Sequence, residues 1–191
     1  MQPKLYLAGP EVFLPSPNER AEEQRKLCHK YGFIPLHPMD NNLDLGKRDY
    51  ETALRVYRGD TTQVRECDII VANCNPFRGV CVMDDGTAYE LAFGNALGKV
   101  SYGYIAKMEP LDARIIRDYP TEAWHVDSSR RIDKDGYLVT DPFGTSINLM
   151  MQCGMTESGG RLVEGAFEDC LKAIREDLDS GKLKLKARLA S

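Results

Sequence analysis

The sequence has little of what marks nucleic-acid-binding, membrane or secreted proteins. Its 25 lysines and arginines are outnumbered by 29 aspartates and glutamates, giving a net charge of −4. No basic block appears before the short stretch from Lys182 to Arg188. Nucleic-acid binding rests on phosphate neutralisation, so this balance argues against a nucleic-acid partner. No apolar run approaches the ~20 residues needed to cross a bilayer. The opening segment, MQPKLYLAGP, also lacks the long apolar stretch of a signal peptide. No membrane partner and a cytoplasmic location are therefore expected. Histidine is scarce, with only 3 in the chain, and a multi-histidine metal site is not expected. The 6 cysteines are too few for a disulfide scaffold and form no C-x-x-C pair, so neither a zinc ribbon nor a thioredoxin-type site fits. Cys67, Cys74 and Cys81 are evenly spaced, yet Cys67 and Cys74 flank an apolar strand, where cysteine serves as a small hydrophobe.

What is present suits one globular domain: 191 residues, 42% of them hydrophobic, enough to bury a core without staples. The domain is expected to run over residues 1–180, followed by a frayed basic tail over 181–191. Leu5 to Ala8 reads as a first strand stopped by Gly9-Pro10. A helix is predicted from Asn18, as N-cap, to Tyr31, then a strand over Phe33–Leu36 and a turn-rich loop from His37 to Asn42. A helix from about Lys47 to Glu66 leads into Asp68–Asn73, whose continuous β-branched character suits burial on both faces of a parallel sheet. A helix then runs from Asp84 to Leu97, and Val100–Ala106 is a further strand. Residues 107–140 read as a charged excursion ending in a turn at Asp133–Gly136. Helices around Ser146–Cys153 and Glu164–Leu178 close the domain. Alternating strands and helices predict an α/β, doubly wound, flavodoxin-like or Rossmann-like fold: a parallel five-stranded sheet with helices on both faces. Ligands in such sheets bind outside the carboxyl ends of the strands, which directs attention to the loops after Ala8, Leu36 and Cys74.

Three carboxylates stand near that edge. Asp84 and Asp85 open a helix, where acidic side chains cap free amides and complement the helix dipole. Glu90 lies among Ala88, Leu91 and Phe93, and a carboxylate in such surroundings costs free energy unless it is used or paired. Tyr57, Asp60 and Val64 share one helical face expected to point inward, with Arg58, Thr61, Thr62 and Arg65 off it. A helix-surface carboxylate paired with Arg55, Arg58 or Arg65 is the alternative for Asp60. Two carboxyl groups about 5 to 5.5 Å apart are what a retaining glycosyl transfer requires, one attacking the anomeric carbon and the other handling the leaving-group proton.

The motifs resemble the nucleoside 2-deoxyribosyltransferase family. The resemblance rests on Leu5-Tyr6-Leu7-Ala8-Gly9-Pro10 with Phe13, on Pro38-Met39-Asp40-Asn41-Asn42, and on Asp60 ahead of Asp68-Ile69-Ile70-Val71-Ala72. It continues through Asp84-Asp85-Gly86-Thr87-Ala88-Tyr89-Glu90-Leu91 and Ile147-Asn148-Leu149-Met150. It implies that Glu90 is the nucleophile forming a covalent deoxyribosyl-enzyme, that Tyr6 orients it, and that Asp60 protonates the departing base. Asp84 would hold a sugar hydroxyl, and Asn148 would be supplied to that sugar from a neighbouring subunit. Gly9, Phe13 and Asn42 would lie at the substrate, with Asn42 standing where some members carry a longer amide. The implied partners are 2′-deoxynucleosides and free nucleobases, in a homo-oligomer whose dimeric unit shares active sites. No cofactor is required, because a sugar without a 2-hydroxyl reaches its oxocarbenium-like transition state readily.

The chain departs from the family pattern in continuing far past Met150, in the length of residues 107–140, and in Ala92 where glycine is common. Two other readings compete. An N-glycoside hydrolase acting on nucleosides or nucleoside 5′-monophosphates fits Gly86-Thr87-Ala88-Tyr89-Glu90, although the two acids Asp84 and Asp85 are poor neighbours for a phosphate. A phospho-accepting receiver module needs an acidic pair after its first strand, where Gly9-Pro10 stands instead.

Overall fold

Five short strands, the central ones buried on both faces, form one sheet and decide where everything else packs. The computed structural model describes residues 2–41, 46–79, 81–140 and 142–185. The strands are β1 (Lys4–Ala8), β2 (Ile34–Leu36), β3 (Ile69–Asn73), β4 (Val100–Ile105) and, late in the chain, β7 (Leu162–Glu164). They are parallel throughout, in the order β2-β1-β3-β4-β7. The direction of winding reverses between β1 and β3, the place beyond whose carboxyl ends sheets of this kind bind ligands.

Strand alternation sorts the two faces. Leu5 and Leu7 of β1 join Ile69 and Val71 in a layer with Cys28, Phe33, Cys170, Leu171 and Ile174. That layer is covered by α1 (Pro17–Lys30) and α6 (Phe167–Asp179). Tyr6 and Ala8 point the other way, with Ile70 and Ala72, into a layer containing Val64, Leu91, Ile147 and Met155. Those residues bring α2 (Tyr50–Glu66), α3 (Asp85–Ala96) and α5 (Leu149–Glu157) onto that face. Tyr6 therefore shares its side of the sheet with the helices that carry Asp60 and Glu90.

Several boundaries differ from the sequence reading. The first helix is entered at Pro17 after Ser16 rather than capped by Asn18, proline being pre-shaped for the first helical turn. The second begins at Tyr50 because the Asp49 side chain accepts from Thr52 N at 2.8 Å and closes its amino end. Residues 107–140 are not irregular throughout: α4 (Leu111–Asp118) is followed by the antiparallel pair β5 (Thr121–Ala123) and β6 (Arg131–Asp133). The turn at Asp133–Gly136 is present, with Gly136 N donating to Asp133 O at 3.1 Å. The described residues after Gly181 turn back to the domain rather than fraying: Leu183 is buried in the core and its amide donates to Asp177 O at 2.8 Å. Cys28, Cys67, Cys74 and Cys170 are buried, as expected of small hydrophobes. Among the described residues no helix is long and apolar enough to cross a membrane.

Candidate active site

The centre of the site is a contact between a strand and a helix. The Tyr6 hydroxyl, projecting from β1, donates to Oε1 of Glu90 on α3. Burial, together with the nearby charges of Glu90 and Asp60, drives the Tyr6 phenol far above its ordinary range, so it stays protonated and acts as a donor. Glu90 itself is half-buried. Burial pushes its carboxyl up to about 8, opposed by the Tyr6 hydrogen bond and assisted by the negative charges of Asp60 and Asp84.

Asp60 reaches the same region from α2, one helix away. Burial pushes its carboxyl up to about 6, against a hydrogen bond from Asn41. Its partner is that amide, at 2.7 Å, rather than one of the arginines considered from the sequence; Arg58 instead pairs with Glu51, and Arg65 lies over the Phe93 ring. The helical face around Asp60 also differs from expectation. Val64 is fully buried, but Tyr57 is 47% exposed and Thr61, placed off that face by the sequence pattern, is buried. Thr61 can turn inward because its hydroxyl is satisfied by the carbonyl of Tyr57 at 2.8 Å. The Tyr57 hydroxyl meets that of Tyr89 at 2.9 Å, and Tyr89 stacks on Phe93, forming an aromatic rim across α2 and α3.

Asp84 is the N-cap of α3, its Oδ2 accepting from Thr87 N at 2.9 Å and from the Thr87 hydroxyl at 3.0 Å. Asn148 is likewise an N-cap, of α5, through Met150 N at 3.0 Å, and lies exposed. No hydrogen bond joins it to Tyr6, Asp60 or Glu90 among the described residues. Phe13, 60% exposed at the end of the turn after β1, stacks on Phe77 with centroids 5.9 Å apart. The Arg78 guanidinium stands 5.0 Å from the Phe13 centroid and 4.7 Å from that of Phe77. Arg78 is also the one non-glycine residue with a positive φ among the described residues, at 52°, a conformation that sites of function often hold. At Gly9 the space a side chain would occupy is filled: a Cβ there would stand 2.0 Å from Oε2 of Glu11. Glu11 in turn accepts from Tyr104 at 2.7 Å and Asn73 at 2.9 Å, which fixes the first loop. Asn42 lies outside the described residues.

Thus Tyr6, Asp60, Asp84 and Glu90 converge, whereas Phe13 and Asn148 stand at the periphery. Asn41, Phe77 and Arg78 were missed by the sequence reading; a glycine in mid-helix at position 59, directly before Asp60, was the available signal for the first. A cavity of about 650 Å³ opens between Asp68, Lys99 and Lys184 at the amino ends of the strands, the edge opposite Glu90. Chemically, two neighbouring carboxyls with raised proton affinities hold one proton between them near neutral pH, one able to attack carbon while the other supplies a proton.

The profile of a family described as nucleoside 2-deoxyribosyltransferase matches residues 5–150 of this chain. An uncharacterized protein of Schizosaccharomyces pombe is 28% identical over 195 residues, covering 93% of this chain and 91% of that protein. A solved structure titled as a 2-desoxiribosyltransferase from Leishmania mexicana is similar at a TM-score of 0.68 and 27% identity, covering 91% of this chain and 97% of that one. A conserved protein from Enterococcus faecalis V583 shares the fold, at a TM-score of 0.58 and 18% identity over 92% of this chain and 99% of the other.

Proposed function

The chain belongs to the nucleoside 2-deoxyribosyltransferase family, and we propose that it transfers 2-deoxyribose between nucleobases by a retaining double displacement. The observation that carries this reading is the buried Tyr6 hydroxyl donating to Glu90, with the Asp60 carboxyl of the adjacent helix close enough for its charge to act on Glu90. In the first step a Glu90 carboxylate oxygen attacks C1′, the glycosidic bond breaks, and Asp60 delivers its proton to the departing base. In the second, the nitrogen of an incoming base attacks C1′, Asp60 takes up the proton that nitrogen loses, and the ester to Glu90 breaks. Two inversions leave the anomeric configuration unchanged. Tyr6 holds Glu90 in place and stabilises its charge as it leaves the sugar. No metal is needed for these steps, because the transition-state charge is met by a carboxylate in a partly desolvated site.

Asp84 is assigned to a sugar hydroxyl, and Phe13 with Phe77 and Arg78 to the face of the base, where stacking tolerates more than one base. The reading includes a dimeric unit in which Asn148 of one copy reaches the sugar held by another. Purified protein incubated with 2′-deoxyinosine and adenine should yield 2′-deoxyadenosine and hypoxanthine, and Glu90→Ala should yield neither. Hypoxanthine with free 2-deoxyribose and no new nucleoside would instead establish an N-glycoside hydrolase, with water as the acceptor.

A further inference from the structure

Asp60 is held by a device built from two separate elements. The 3-10 turn Pro38–Asn41, which follows β2, folds back on α2 so that one amide bridges two residues of the helix. Asn41 Nδ2 donates to Asp60 Oδ1 at 2.7 Å, and Asn41 Oδ1 accepts from Gln63 Nε2 at 2.8 Å. Nδ2 also donates to the carbonyl of Pro38 at 3.1 Å. A carbonyl can only accept, so the Pro38 bond fixes which end of the amide faces Asp60: it is the donor end.

The amide lies against the helix at Gly59. A Cβ at that position would stand 2.7 Å from Asn41 Cγ and 2.8 Å from each of its amide heteroatoms. Glycine weakens the middle of a helix, and Gly59 has no positive φ that would require it. What it provides is room for Asn41. The turn is tethered independently: His37 Nδ1 accepts from Met39 N at 3.1 Å and its Nε2 faces Gln24 Oε1 at 3.2 Å. Asp40 accepts from His37 N at 3.0 Å and pairs with Arg25. Asn41 is thereby delivered to Asp60 by a fixed turn. Gln63 completes the arrangement with its other amide atom, Oε1, buried and without a hydrogen-bond partner among the described residues, an arrangement that packing alone does not favour.

We propose that Asn41, seated on Gly59 and backed by Gln63, is a positioning residue that fixes the Asp60 carboxyl and directs its transferable proton to Oδ2, the oxygen it leaves unbound. This rests on the reading of Asp60 as the acid. A donor on Oδ1 makes that oxygen the poorer place for the proton, and a fixed carboxyl plane keeps Oδ2 aimed at the leaving base.

The test compares 2′-deoxyinosine, whose base needs protonation to depart, with p-nitrophenyl 2-deoxyriboside, whose leaving group does not. Asn41→Ala and Gly59→Ala should each lower kcat on 2′-deoxyinosine about tenfold or more, with KM little changed and a loss under about threefold on the nitrophenyl sugar. The double variant should be no worse than Asn41→Ala alone, because both changes act through one amide. Gly59→Ala should melt no lower than wild type, which separates positioning from folding. Equal losses on both substrates, or additive losses in the double variant, would overturn the proposal. Asp60→Asn run in parallel separates the levels: if it is selective for 2′-deoxyinosine while Asn41→Ala is not, the positioning role alone falls. If Asp60→Asn is itself unselective, the acid assignment falls and takes the positioning role with it.

Discussion

Glu90 sits in a helix of small and apolar residues, where its charge is poorly solvated, and the consequence can be read in two ways. Its carboxyl is raised from an ordinary 4.5 to about 8 and that of Asp60 from 3.8 to about 6. The proposed mechanism requires one proton on the pair, resting on Glu90 by these values and passing to Asp60 in the reacting form, so kcat/KM should pass through a maximum between about 6 and about 8. Below it both groups are neutral and the nucleophile is lost; above it both are ionised and the acid is lost. Stability carries the opposite cost. A carboxyl whose folded value lies above its unfolded one binds its proton more tightly when folded, so its contribution is fully present below 4.5 and is lost as pH rises through about 8. Glu90→Gln should therefore be inactive, melt a few degrees above wild type at about pH 8.5, and differ little at about pH 5, as thermal unfolding followed by circular dichroism would show. A variant that melts lower at about pH 8.5 would mean that the charge of Glu90 makes contacts that stabilise the fold.

Helix caps link the elements to the site. Asp84 closes α3 and Asn148 closes α5, each through its side-chain oxygen and a backbone amide. Asp84→Asn keeps an oxygen for Thr87 and should hold stability close to wild type, whereas Asp84→Ala should cost about 1 kcal/mol in urea unfolding. Because the Asp84 charge helps to raise Glu90, the alkaline limb of the pH profile should move to lower pH in Asp84→Asn; an unmoved limb would remove Asp84 from the electrostatics of the site. Elements were legible in proportion to their length and pattern. β1, β3 and β4 announce themselves as apolar runs, and α2 by its periodicity. β7, with only Leu162 and Val163 apolar, and the three-residue β5 and β6 carry too little pattern to separate from loop; pairing makes them strands, β7 with the distant β4 and β5 with the nearby β6.

At the scale of the whole molecule the open question is what a second copy supplies. Asn148 is exposed, with Met150 beside it 69% exposed, and in the proposed dimeric unit the pair would face a neighbour's sugar. Asn148→Ser, which retains a capping oxygen, and Glu90→Ala should each be inactive alone. After proven subunit exchange in equal mixture, about a quarter of wild-type activity should return, since half the dimers are mixed and each mixed dimer has one intact site. No recovery would place Asn148 outside the partner's site.

The amino-acid sequence by itself determined the class of fold and singled out Tyr6, Asp60, Asp84 and Glu90 as candidates for a site. Buried strands demand unbroken apolar runs, crossovers demand periodic helices, and a carboxylate such as Glu90 among apolar neighbours stands out because its cost is local. The ordered motifs from Leu5 to Met150 carried the family resemblance as well. Only the tertiary structure decided which groups meet. The alternation of β1 turns Tyr6 to the face shared by α2 and α3, and a turn after β2 lays Asn41 across Gly59 to reach Asp60. Those contacts span elements separated by 84 residues for Tyr6 with Glu90 and 19 for Asn41 with Asp60. Spacing along a chain encodes the face of one helix or strand; it does not encode the register in which two of them are pressed together.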